Sequence, residues 1–183
     1  MKRLWIALIL TIGLACLGLA QSYSPKSGET VLRLALEGRG NVYILLHTKQ
    51  APRTTARIIE LVNDGFYNGQ KVFRAEKSPR PFMIQMGDPN TKTKGVDDAS
   101  VGSGGSGVKI AYENSGFVSD EGAVGLATIP GDKNSGDSQF FILLSRARFL
   151  DGNYTVFGQV VAGMEVVKKI ERGDRIVSAT IIR

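Results

Sequence analysis

Seven residues, Phe82-Met83-Ile84-Gln85-Met86-Gly87-Asp88, constrain this chain more than any other stretch. They have the length of one strand, and period-two alternation puts Met83 and Gln85 on one face, Ile84 and Met86 on the other. An apolar strand that turns one uncharged amide to the same side as a thioether is not simply a core strand. A second stretch repeats the design: in Ser138-Gln139-Phe140-Phe141-Ile142-Leu143-Leu144, Gln139 and Phe141 share a face. An apolar, amide-bearing surface suits a neutral peptide better than a phosphate, a sugar acid or a metal.

The rest of the composition narrows the chemistry. At 183 residues the chain suits one domain with a proper core, and 22 glycines favour turns and strands over a helical bundle. The formal charge of +6 falls to +4 without Lys2 and Arg3, leaving 21 basic residues against 17 acids. Those charges are scattered, with no basic stripe, so they read as solubility and not as a nucleic-acid surface. The one cysteine, Cys16, lies in the N-terminal segment, so the folded domain has no disulfide, thiol nucleophile or Cys metal cluster. His47 is the single histidine; it closes the apolar run Val42 to Leu46 and has no visible Ser or Cys partner, which disfavours a hydrolase. Whatever chemistry occurs needs neither cofactor nor metal and does without proton-transfer machinery.

Residues 1–20 read as a secretory signal: Lys2 and Arg3 open it, Leu4 to Leu14 is apolar, and Gly18-Leu19-Ala20 offers small residues for cleavage. Lipidation at Cys16 and a retained anchor are the two alternatives, and only these bring a membrane into play. Residues 21–30 read as a linker and 31–183 as the domain, expected outside the cytoplasm (periplasm, cell envelope or secreted). No oligomeric signal is visible, so a monomer is the default.

Val31 to Leu36 and Val42 to His47 flank a Gly-rich turn and form a hairpin. A helix opens at Ala51-Pro52-Arg53-Thr54-Thr55, with Thr available as cap, and ends at Asn63-Asp64-Gly65. Lys71 to Ala75 reads as a strand with Arg74 on the face of Val72. Gly102-Ser103-Gly104-Gly105-Ser106-Gly107 matches G-x-G-x-x-G, but no strand precedes it and no helix follows, so dinucleotide binding is rejected. Further strands cover Gly122 to Thr128 and Ile176 to Ile182, and a last helix Met164 to Glu171. Short strands, frequent Gly and two separated helices fit a mainly β fold: a closed antiparallel β-barrel, eight-stranded, with an α-helix at each end.

Arg74, then Phe82-Met83-Ile84-Gln85 and Gly87-Asp88-Pro89, Ser138-Gln139-Phe140-Phe141-Ile142, Phe149-Leu150-Asp151-Gly152 and Val156-Phe157-Gly158 together resemble the cyclophilins, the cyclosporin-type peptidyl-prolyl isomerases. The resemblance runs from about Leu32 to Ile182. It implies catalysed rotation about Xaa-Pro bonds, serving proline-containing peptides and unfolded exported proteins. It assigns Arg74, Gln85 and Phe82 to catalysis, and Met83, Ala127, Thr128, Gln139, Phe141, Phe149, Leu150 and Tyr154 to substrate binding. It also puts the Gly-rich loop, as flexible backbone, beside the groove. The loop Glu76 to Pro81 is longer than the family's turn, which makes Arg80 a rival to Arg74; the loop Ile129 to Asp137 is also lengthened. Phe149 stands where many members have Trp, and the missing indole donor implies weak cyclosporin binding; Tyr154 stands where they have His, and both changes keep the wall aromatic or apolar. A binding or chaperone module with little turnover is the competing expectation.

Overall fold

The computed structural model describes residues 22–183. The leader features (Lys2, Arg3, Cys16 and the cleavage position after Ala20) lie outside the described residues. Eight strands, β1 (Val31–Leu36), β2 (Gly40–Leu46), β3 (Arg74–Glu76), β4 (Met83–Met86), β5 (Ala123–Leu126), β6 (Phe140–Leu143), β7 (Val156–Ala162) and β8 (Ile176–Ile182), join two helices, α1 (Pro52–Asn63) and α2 (Met164–Val167). All strand pairs are antiparallel, in the order β3-β4-β6-β5-β7-β2-β1-β8.

That order corrects the expectation of a closed barrel. The sheet is an open half-barrel with β3 and β8 as its edges. β3 is three residues long, and the irregular residues before it meet the lead-in to β8 without a ladder. The seam holds one isolated bridge, Lys71 to Arg175, and backbone bonds from Val72 N–H to Asp174 O (2.9 Å), Gly173 N–H to Val72 O (2.8 Å) and Ile176 N–H to Gln70 O (2.8 Å).

The concave side holds the main core, where Ile84, Met86, Val124, Leu126, Phe140, Ile142 and Phe157 meet the α1 residues Ile58, Leu61 and Val62. Tyr67 sits among them fully buried, edge-on to Phe140, and donates its hydroxyl to Ser138 O at 3.0 Å. Burial of the phenol pushes its pKa up, so it stays a donor. α1 ends as its sequence predicts: Gly65 is left-handed (φ 68°), and the N–H groups of Gly65 and Phe66 bond Val62 O and Leu61 O.

Its start differs. Neither threonine caps it; Ala51 is the N-cap residue. The buried carboxylate of Glu113, sixty residues away, accepts from Arg53 N–H (3.0 Å), Thr54 N–H (2.8 Å) and Thr54 Oγ1 (2.7 Å). α2 is also shorter than expected, a single turn after left-handed Gly163, while Val167 and Ile170 still reach the core.

Candidate active site

Strand register builds the site on the convex face of the sheet. Ala75, Ile84 and Ile142 point to the main core, so their neighbours point outward. Arg74 pairs with Gln85, Gln85 with Phe141, and Phe141 with Gly125, giving one row across β3, β4, β6 and β5. The next row is Glu76, Met83 and Leu143. Gly125 supplies the space: a Cβ there would collide with the Phe141 ring, which lies over the bare backbone. The expected Lys71 to Ala75 strand begins only at Arg74. Val72 belongs to the main core while Arg74 reaches outward, because the backbone leaves extended pairing at Val72 and Phe73.

A second apolar cluster, distinct from the main core, covers this face. Met83, Ala123, Phe141, Leu143, Ala147, Leu150 and Val156 are buried in it, with Phe82, Ala127 and Tyr154 packed at its margin. Tyr154 meets Phe141 edge-on at 5.4 Å, and Phe149 lies 5.7 Å from Phe82. Phe149 is 69% exposed, a large ring facing solvent at the rim. Such an exposed aromatic beside a shallow apolar floor suits a ring-sized apolar group.

A polar row borders the apolar floor. Arg74 Nη1 donates to Gln85 Oε1 (3.2 Å), Gln85 Nε2 to Gln139 Oε1 (3.1 Å), and Gln139 Nε2 to the carbonyls of Gly102 (3.0 Å) and Gly104 (2.8 Å). The Arg74 Cζ also stands 6.0 Å from the Phe82 ring centroid. Beyond this row lies a groove of about 540 Å³ lined by Gln85, Gln139, Ala127, Thr128 and the Gly-rich loop. A second cleft of about 400 Å³ adjoins it across Thr128, Ile129 and Pro130, with Phe149, Leu150 and Tyr154 on its far side.

The Gly-rich loop is not loose. Asp88 accepts from the N–H groups of Asn90, Gly102 (2.5 Å) and Gly104 (3.0 Å), while Asp137 accepts from Ser106 N–H (2.7 Å), Ser106 Oγ and Gly107 N–H (3.0 Å). Glycines are required: a Cβ at Gly104 would strike Asp88, and one at Gly105 would strike Asp137. No helix follows the loop, so its N–H groups serve these carboxylates and not a phosphate.

The sequence profile described as cyclophilin type peptidyl-prolyl cis-trans isomerase/CLD matches residues 31–182. This chain is a cyclophilin-family member. A probable peptidyl-prolyl cis-trans isomerase of Brucella suis is 37% identical over 181 residues, covering 90% of this chain and 89% of that protein. Peptidyl-prolyl cis-trans isomerase B of Bacillus subtilis is 33% identical over 139 residues, covering 76% and 89%. A solved Cryptosporidium parvum cyclophilin type isomerase superposes with TM-score 0.72 at 23% identity, over 85% of this chain and 98% of that one. The same Cryptosporidium protein, solved in the presence of the dipeptide Ala-Pro, gives 0.70 at 24% identity.

In this cyclophilin the structure gathers Arg74, Phe82, Met83, Gln85, Gln139, Phe141, Leu150, Phe149, Ala127, Thr128 and Tyr154 along one face. Arg80 is exposed in the loop between β3 and β4. Four residues with a part in this geometry have no role assigned from the sequence. Asp88, Asp137 and Gly125 carry signals too common to single out. Glu76 could have been found: it stands two residues from Arg74 in a strand, hence on the same face. Among the described residues no group of His, Cys, Asp and Glu could hold a metal ion.

Proposed function

We propose that this cyclophilin catalyses cis-trans isomerisation of Xaa-Pro bonds at the convex face, with Arg74 as the decisive donor. The observation that carries the reading is one guanidinium, held in a polar row, at the edge of an apolar floor separate from the main core. Rotation about the bond meets a barrier of ~18–20 kcal/mol from amide resonance. Uncatalysed exchange takes roughly 10–100 s. No bond breaks, so no nucleophile is needed; what helps is anything that favours the twisted state.

Two devices on this face do so. Phe82, Met83, Phe141 and Leu150, walled by Phe149 and Tyr154, take the proline ring and strip water from the amide, whose planar form water stabilises. Arg74 donates to the prolyl nitrogen, which has a lone pair to accept with only when the bond is twisted. A bond made only in that state lowers the barrier without tightening substrate binding. Gln85 holds Arg74 and the substrate carbonyl; Gln139, Ala127 and Thr128 hold the flanking peptide. The residue 1–20 pattern supports a role on exported chains, outside the cytoplasm.

Exchange NMR on an Ala-Pro-Phe peptide tests the function with residues 22–183. Acceleration of cis-trans exchange supports the reading. Saturable peptide binding without acceleration, with the fold intact, contradicts it and selects a peptide-binding or chaperone module.

A further inference from the structure

We propose that Glu76 is a positioning residue for Arg74, turning its guanidinium toward the substrate. This rests on the reading of Arg74 as the donor. Glu76 lies on the convex face, opposite Met83 in the β3–β4 ladder and two residues from Arg74. Its Oε1 accepts from Arg74 Nε at 2.7 Å and lies 2.7 Å from Nη2. One carboxylate oxygen thus spans one edge of the guanidinium, and Gln85 Oε1 holds Nη1 from another side. Of the five N–H donors of the guanidinium, these contacts leave one on each Nη for a substrate.

The neighbouring charges leave Glu76 to this task. Lys77, the adjacent cation, is held by Glu171 at 2.6 Å. The Glu76 backbone is fixed where the hairpin narrows, its carbonyl accepting from Phe82 N–H at 2.8 Å. Arg74 and Glu76 are 42% and 44% exposed, so their attraction adds little to stability. Its consequence is orientation. An arginine held only by Gln85 and the Phe82 ring face has several rotamers, and a misplacement of about 1 Å can cost about 100-fold in rate.

The test compares wild type, Glu76→Ala, Glu76→Gln, Arg74→Ala and the Arg74→Ala/Glu76→Ala double variant, on one Xaa-Pro peptide by exchange NMR. Glu76→Ala is expected to lower kcat about tenfold with KM within about twofold, since the guanidinium is misdirected and the apolar floor is intact. Glu76→Gln keeps an acceptor oxygen and restores most of the rate. In the Arg74→Ala background, Glu76→Ala changes nothing, because no guanidinium remains to position. A Glu76→Ala rate at or above wild type overturns the proposal, as does an equal loss in both backgrounds. If Arg74→Ala leaves the rate unchanged, the donor reading fails and this proposal falls with it. If Arg74→Ala is slow and Glu76→Ala is not, the donor reading stands and only Glu76 is dismissed.

Discussion

Glu113 shows how far a single side chain reaches. Burial pushes its carboxyl pKa up, but bonds from the Thr54 hydroxyl and N–H and from Arg53 outweigh that and hold it below the usual range. A carboxylate depressed in the fold stabilises it above the unfolded pKa, and that contribution is lost as pH falls through the folded value. Glu113→Gln is therefore expected to cost about 1.5–3 kcal/mol at pH 7 in urea unfolding, the worth of charge-assisted bonds. The gap to wild type should narrow below about pH 4; a gap independent of pH would refute the linkage. This cap is invisible in sequence: Thr54 has the residue type of a local cap, yet its hydroxyl donates to a carboxylate 59 positions on. Arg74 is legible by motif and its partner Glu76 by alternation alone.

At the scale of elements, the face of β4 is legible because a period of two leaves no freedom: with Ile84 and Met86 in the core, Met83 and Gln85 must face out. Element ends are less so. β3 starts late because Val72 turns into the main core, and α2 stops after one turn, its apolar pattern continued by Ile170 beyond it. The family resemblance implies flexible backbone in the Gly-rich loop, whereas Asp88 and Asp137 tie it down. Two consequences are measurable. Asp88→Ala should raise hydrogen exchange at the Gly102 and Gly104 amides by about tenfold or more and destabilise by about 1–3 kcal/mol; unchanged exchange would show that the carboxylate is not the anchor. Gly125→Ala should force the Phe141 ring off its backbone seat at a cost of about 1–3 kcal/mol, with weaker peptide binding; wild-type binding and stability would remove Gly125 from the account.

At the scale of the molecule, one sheet separates two apolar clusters and, in the proposed mechanism, two tasks: a core on the concave side and a substrate floor on the convex side. Mainly β architecture and the presence of two helices are legible in the spacing of strands and glycines. Closure is not, because it depends on whether the residues leading into β3 and β8 form a ladder, and at Lys71 and Arg175 they form only a bridge. Adjacent residues on β4 separate the two tasks. Ile84→Ala should cost about 2–5 kcal/mol of stability, leaving the folded fraction's rate near wild type. Met83→Ala should raise KM as well, because its side chain belongs to the floor. Equal effects of the two on KM would mean that the clusters are not functionally distinct.

The claim on which the rest depends is that Arg74 acts on the twisted bond and not on the resting peptide. Separate determination of kcat and KM for Arg74→Ala by exchange NMR over a range of peptide concentrations tests it most directly. A loss of about 100-fold to 1000-fold in kcat with KM little changed, the size seen when a transition-state donor is removed, is the predicted result. A raised KM with kcat intact would make Arg74 an ordinary binding residue and contradict the account.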